Sequence, residues 1–329
     1  MHLAIFSSGD VVADRRAEYA RALAASGELA AAANLMTQVL DLVPGWAAGW
    51  SLLGELHERA GDIAGAIAAW RHLEALDCEG LFAARLKLAA HGAGPAGTGT
   101  ATGYVEALFD QYAPQFETAL VQNLAYVVPE RLNGLLREVM AETGIAGFAE
   151  ALDLGCGTGL MGERIRAVTS HLSGIDLSAG MVALTARKGV YDRVEKAELV
   201  EHLRGRADSF GLISAADVVI YCGALAPVLD SVARALRPGG LFVFSLEAHD
   251  GAEPVFLRPS LRYAHQADAT RRALADSGLE IVRFVRDVLR TDRGAPVEGF
   301  LVVARRPSGI SQVPAPAPEQ DGAMAPALN

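Results

Sequence analysis

Apolar residues recur at spacings of three and four from about Ala13 to His91, with breaks at Ser26-Gly27 and Gly61-Asp62, and predict paired amphipathic helices. The pattern stops at GAGPAGTGTATG, Gly92 to Gly103, where Gly, Ala and Thr leave little to bury, and a linker is expected. Helical spacing returns over Tyr104 to Thr143: Phe109, Tyr112 and Phe116 share one face, Pro129 suits a first helical turn, and Gly144 ends the helix. Beyond that point strand-length apolar runs alternate with helical stretches. The runs are at Ala151, His171 to Asp176, Val194 to Ala197, Asp208 to Asp217 and Leu241 to Glu247; the helices are Leu160 to Val168, Ser178 to about Lys188, about Ala224 to Leu236 and Ala267 to Ser277. This alternation predicts an α/β fold on a parallel sheet. The last two runs, Leu279 to about Leu289 and Val297 to Ala304, meet at a polar turn with Asp292, Gly294 and Pro296 and predict a closing antiparallel hairpin. Pro307 to Asn329 lacks hydrophobic bulk and is expected to be a disordered tail.

The helical third repeats itself. A shift of 34 residues sets Arg16 over Trp50, Tyr19 over Leu53, Ala32 over Ala66 and Met36 over Trp70. Packed helix pairs need Gly or Ala where their backbones approach closely, which gives the small positions a cause. With Trp50, Leu53-Gly54, Ala66 and Trp70, the region resembles two tetratricopeptide units, Ala13 to Trp46 and Ala47 to Gly80, followed by a capping helix at about Leu81 to His91. A generic helical bundle is the alternative. Two units are fewer than the roughly three such arrays need, so this module is expected to dock on something. The resemblance implies protein binding or self-association.

Composition narrows the partners. The formal net charge of -10, with no cluster of Lys and Arg, argues against nucleic acid. No apolar run approaches the roughly 18 residues of a membrane span, and MHLAIFSSGDVVADRR lacks the build of a signal peptide, so a cytoplasmic protein without a membrane partner is expected. Cys78, Cys156 and Cys222 are too few and scattered for a disulfide framework or a zinc site, and no metal is expected.

The chemistry gathers around ALDLGCGTGL, Ala151 to Leu160: a short apolar run ending in Gly155, Gly157 and Gly159. Such a turn follows conformations closed to other residues and lets a ligand lie against bare backbone, while the following helix points its amino end at the turn. Asp176 lies about 20 residues on, at the tip of the next strand, where a carboxylate accepts the hydroxyls of a ribose. Glu198, ending the third strand, is a candidate for an adenine amino group. Gly157, Gly159 and Gly162 also satisfy the GxGxxG pattern of nicotinamide enzymes, so two cofactors compete. Asp153, just before the first glycine, would repel a pyrophosphate and suits the cationic S-adenosylmethionine.

LDLGCGTG, GIDLS, AEL, LISAADVVIY and LRPGG, in that order, resemble the motif set of class I S-adenosylmethionine-dependent methyltransferases over roughly Tyr104 to Arg306. With the repeats and LRPSLRYAH, Leu257 to His265, the chain is similar to a bacterial group of predicted methyltransferases containing tetratricopeptide repeats. FDQYAPQFETAL, Phe109 to Leu120, resembles an FDxYA element that lids the cofactor in one group of these enzymes, which brings in Tyr112. The resemblance implies an α/β, Rossmann-like seven-stranded methyltransferase sheet behind an all-α tetratricopeptide-repeat domain. The expected division is a helical domain at 1–92, a flexible linker at 93–103, a methyltransferase domain at 104–306 and a tail at 307–329. The implied cofactor is S-adenosyl-L-methionine, on Asp153, Gly155, Gly157, Gly159, Asp176, Leu177, Glu198, Leu199 and Tyr112. A non-catalytic cofactor-binding scaffold and an NAD-dependent oxidoreductase are the rival functions.

Methyl transfer from a sulfonium is an in-line displacement with a good leaving group, so positioning supplies much of the rate and a base is needed only if the acceptor keeps a proton. The acceptor is not identified by the sequence. Candidate bases lie beyond the fourth and fifth strands: His265 and His249 first, because imidazole accepts protons near neutral pH, then Tyr221, with Asp217, Glu247 and Tyr263 nearby.

Overall fold

The computed structural model describes residues 7–95, 97, 101–113, 126–292 and 294–308. Five helices come first: α1 (Val11–Ala25), α2 (Leu29–Leu42), α3 (Ala47–Arg59), α4 (Ile63–Leu76) and the short α5 (Ala84–Ala90). Each packs against the next in chain order. Their small residues have a visible purpose: a Cβ on Gly54 would stand 2.1 Å from the Trp70 indole nitrogen, and one on Gly49 would stand 2.4 Å from the Trp46 ring. Glycine therefore lets two tryptophan rings approach α3 closely. Ala13, Ala17 and Ala20 of α1 are likewise fully buried, as are Ala32 and Met36 of α2.

The expected linker overlaps the next helix. α6 (Thr102–Tyr112) begins within it, and its Gly103 sits so close to the Glu79 backbone that a Cβ would stand 2.4 Å from the carbonyl oxygen. Residues 96 and 98–100 lie outside the described residues, as do Phe116, 114–125 and the expected tail from 309 onward. α7 (Val128–Thr143) starts with Pro129 in its first turn and ends at Gly144 in the left-handed region at φ +71°.

The α/β half follows: β1 (Phe148–Leu154), α8 (Leu160–Ile165), β2 (Thr169–Asp176), α9 (Ala179–Lys188), β3 (Arg193–Lys196), α10 (Leu199–Leu203), β4 (Phe210–Ala215) and α11 (Ala226–Ala235). Then come β5 (Leu236–His249), β6 (Val255–Leu257), β7 (Tyr263–Gln266), α12 (Ala267–Asp276), β8 (Glu280–Asp292) and β9 (Ala295–Arg305). Strands β3-β2-β1-β4-β5 are parallel neighbours, and β9 runs antiparallel on β5 with β8 outside it. That is the expected parallel sheet with its closing hairpin.

The strand count is corrected. The sheet has nine strands, not seven. β5 is 14 residues long and runs past its last β4 partner, Phe244. Its protruding end, Glu247–His249, pairs with β7, and β7 pairs with β6. An exposed strand end leaves backbone groups unpaired, and the inserted segment satisfies them.

Alternation along β5 feeds both faces of the sheet. Phe242, Phe244 and Leu246 pack with Leu152, Leu154 and α11, whereas Leu241 and Val243 pack with Leu132 and Leu136 of α7. A smaller cluster joins the two halves of the chain: Ala83 and Leu86, at α5, meet Leu257, Leu261 and Tyr263 of the insertion. The helical module thus docks on β6 and β7. Among the described residues no helix is long and apolar enough to cross a membrane.

Candidate functional site

The glycine turn leaves β1 with Gly155, Gly157 and Gly159 at φ +60°, +52° and +93°, a region that disfavours side chains. A Cβ on Gly155 would also meet Val218 at 2.4 Å. The turn is tied down by Asp176: the Gly157 amide donates to one carboxylate oxygen at 2.8 Å and the Ser178 amide to the other at 2.9 Å. Asp176 is 8% exposed. Burial raises its pKa, while the amides of Ser178 and Gly157 pull it down. Each oxygen keeps a lone pair for a further donor.

Asp153 plays a different part from the one expected. It is buried, and its carboxylate accepts from Ser214 at 2.6 Å and from the Tyr191 hydroxyl at 2.7 Å. Burial pushes its pKa up to about 6, with those two hydrogen bonds opposing. The same hydroxyl accepts from the Gly162 amide at 3.1 Å. Tyr191 therefore props the turn from beneath, and Asp153 positions Tyr191 rather than lining the cavity. Gly162, the third glycine of the GxGxxG match, is needed because a Cβ would stand 2.2 Å from the tyrosine ring. Neither the chain's spacing nor its pattern marked Tyr191; its only trace is a glycine at 162 and another at 174, both pressed on its ring.

Above the turn a cavity opens, lined by Gly155, Gly157 and Asp176, by an apolar slot of Ile175, Leu177, Ala197 and Leu199, and by Val105 and Phe109 of α6. Of the expected cofactor residues, it brings together Gly155, Gly157, Asp176, Leu177 and Leu199. The other four stand elsewhere. Gly159 caps α8, and Glu198 caps α10 by accepting from the Glu201 amide at 2.8 Å. Tyr112 is 51% exposed and off the lining, so Phe109, one turn earlier, is the aromatic that covers the cavity. Asp153 lies beneath the turn.

The cavity continues to the ends of β4 and β5, where Tyr126, Asp217, Tyr221, Arg262 and Arg290 line it. The Phe109 and Tyr221 rings meet edge to face at 5.6 Å. Arg290 is 2% exposed and spans two carboxylates, donating to Asp217 at 2.6 Å and to Glu247. Burial raises the Tyr126 phenol well above its ordinary value.

The two histidines do not reach this end. His265 is buried on β7 off the lining; burial drops its pKa to about 4, opposed by the backbone of Gly223 and Cys222. His249 stacks on Phe256 at 5.1 Å and lies 3.4 Å from Glu253. Of the three candidate catalytic residues only Tyr221 faces the cavity. Tyr263 donates to the Gly97 carbonyl at 2.8 Å, at the junction of the two halves. Among the described residues no group of three or more His, Cys, Asp or Glu is placed to hold a metal.

A family described as a methyltransferase domain matches residues 152–244, which span the turn, Asp176, the apolar slot and most of β5. Residues 152–244 form a methyltransferase domain. The chain is 31% identical over 129 residues to a malonyl-acyl-carrier-protein O-methyltransferase of Enterobacter lignolyticus, covering 39% of this chain and 49% of that protein. It is 29% identical over 133 residues to a ubiquinone biosynthesis O-methyltransferase of Aromatoleum aromaticum, covering 39% and 54%. The chain thus spans about half the length of these relatives. The structure of the 4+2 cyclase SpnF superposes with a TM-score of 0.51 at 19% identity, covering 65% of this chain and 98% of that one, a likeness of fold. The residues present suit S-adenosylmethionine: a bare glycine turn, a carboxylate with acceptor capacity and an apolar slot share one cavity wall.

Proposed function

We propose that the chain transfers a methyl group from S-adenosylmethionine to an acceptor bound at the ends of β4 and β5. The observation that carries this reading is Asp176, held by the Gly157 and Ser178 amides on the wall of a cavity that also reaches Tyr221. In it, Asp176 accepts the ribose hydroxyls, and Leu177, Ala197 and Leu199 hold the adenine. Phe109 and Val105 cover the site and exclude water. The cofactor supplies a methyl group already activated on a sulfonium. The chain's own contribution is to hold acceptor and methyl in line, which can be worth several kcal/mol. Both relatives are O-methyltransferases, which supports oxygen as the acceptor atom.

The turn also weighs against a nicotinamide cofactor. The Gly162 amide in the first turn of α8, which would face a pyrophosphate, is taken by Tyr191. Calorimetry with S-adenosylhomocysteine and with NAD tests the choice: binding of the first alone is expected, and binding of NAD alone would overturn the proposal. Transfer of a labelled methyl group separates an enzyme from a scaffold that only binds the cofactor.

For the helical module the reading is two tetratricopeptide units, α1 with α2 and α3 with α4, capped by α5. The 34-residue shift and the Gly54 and Trp70 contact support it. Its role would be to bind a protein partner or a second copy in the cytoplasm. Light scattering of the full chain, compared with a chain lacking residues 1–92, would reveal self-association.

A further inference from the structure

The acceptor end of the cavity holds two arginines that differ in what surrounds them. Both arms of Arg290 are taken by Asp217 and Glu247, and the side chain is buried. Arg262 is held less tightly: Asp292 stands 3.5 Å from one arm, the Arg262 side chain also donates to the Tyr221 hydroxyl, and Glu247 and Asp217 lie farther off. It lies where the cavity meets a second, more open groove between the segment at 256–262 and the β8–β9 hairpin. Its guanidinium therefore faces both the reaction compartment and a route into it.

Among the described residues the same compartment offers no imidazole as a base for neutral pH. None of the described histidines lines it. Asp217 is engaged by Arg290 and by the Ser245 hydroxyl, the latter at 2.9 Å. Asp176 is held by the turn at the far end, and burial raises the Cys156 thiol and the Tyr126 phenol. An amine or alcohol acceptor would have to lose a proton here, and Tyr221, the one of the three candidate catalytic residues that faces the cavity, already accepts from the Arg262 side chain. An acceptor that arrives ionised needs no such group.

Resting on the methyl-transfer reading above, we propose that the acceptor is a carboxylic acid with an apolar body, its carboxylate held by Arg262. One oxygen is held by the guanidinium while the other attacks the methyl carbon. The new oxygen–carbon bond forms as the carbon–sulfur bond breaks, and that electron pair stays on sulfur. A carboxylate and a sulfonium become a methyl ester and a neutral thioether, and no proton moves. Phe109, Val105, Tyr126 and Ile220 supply apolar wall for the rest of the acid.

The test uses the full chain saturated with S-adenosylhomocysteine and titrated with octanoate and cinnamate beside their amides. The acids should bind at least about tenfold more tightly than the amides, as expected for a charge-assisted contact. Arg262→Gln should lose that preference, and Arg262→Lys should restore part of it. With methyl-labelled S-adenosylmethionine and the same acids, the product should release methanol in mild base. The proposal is overturned if the amides bind as well as the acids, if neither acid binds the complex, or if Arg262→Gln leaves the preference intact. It is equally overturned by a base-stable methylated product. Failure to bind S-adenosylhomocysteine at all would instead remove the underlying methyltransferase reading.

Discussion

The Ser178 hydroxyl donates to the Asp110 carboxylate at 2.5 Å, and this contact fastens α6 across the cofactor cleft. The Gly180 amide donates to the same oxygen at 3.1 Å, and Ala113 packs so close to Gly180 that a Cβ there would stand 3.0 Å from its own. Lys196 adds a second tie, donating to Glu106 at 2.6 Å. The FDQYA stretch thereby acquires a physical account. Phe109 covers the cavity, Asp110 clasps the start of α9, Tyr112 points toward solvent, and Ala113 fits against a glycine.

Loss of that clasp should loosen the cover without unfolding the sheet. Asp110→Ala is expected to weaken S-adenosylhomocysteine binding about three- to tenfold, the range of one charge-assisted hydrogen bond partly open to solvent. Calorimetry measures it, with thermal melting as the control. Unchanged affinity would mean that α6 does not wall the bound cofactor.

Asp176→Ala removes the carboxylate that fixes the Gly157 and Ser178 amides and faces the cavity. Cofactor affinity should fall by on the order of 100-fold, about 2.8 kcal/mol. Asp176→Asn keeps one acceptor oxygen and should fall between. If both variants bind S-adenosylhomocysteine like the parent, the ribose assignment is wrong.

Two buried groups should give opposite dependences of stability on pH. Asp153 titrates at about 6 in the folded chain against an ordinary 3.8, so the native state keeps a proton that the unfolded chain has released. Its contribution is present below about 4 and is lost as pH rises through 6. His265 titrates at about 4 against 6.5, so the unfolded chain takes up a proton that the native state refuses. Its contribution is present above 6.5 and is lost as pH falls toward 4. Each spans roughly 3 kcal/mol by linkage. In melts between pH 5 and 7.5, Asp153→Asn should gain on the parent as pH rises, and His265→Gln should gain as pH falls. Differences independent of pH would refute both assignments.

Gly54→Ala forces a methyl into the Trp70 indole and should cost about 1–3 kcal/mol, as overpacking does. Urea unfolding followed by tryptophan fluorescence reports it, since Trp46, Trp50 and Trp70 are the chain's only tryptophans and all lie in the helical module. A variant as stable as the parent would show that α3 and α4 can part without loss.

Much of this architecture was legible beforehand because periodicity is a local property. Runs of strand length and helices with one apolar face announce themselves, and the strand-helix alternation and the closing hairpin followed from them. The inserted β6 and β7 did not, because three- and four-residue strands carry almost no alternation and exist only by pairing with the protruding end of β5. At the site, the turn glycines and Asp176 could be read because backbone geometry and spacing demand them. Tyr112, Glu198, Asp153 and the histidines were chosen by place along the chain, chemical type and family resemblance, none of which says which way a side chain points.

The amino-acid sequence by itself determined the α/β alternation, the glycine turn and the carboxylate at the tip of the second strand, since each depends on residues within one strand-turn-helix unit. Only the tertiary structure decided that Asp153 carries Tyr191, that Phe109 covers the cavity in place of Tyr112, and that Arg262 rather than His265 lines the cavity. Those outcomes rest on contacts between segments as far apart as α6, β1 and β7. Contacts of that kind are set by how the sheet and its insertion close together, a relation that no local pattern encodes.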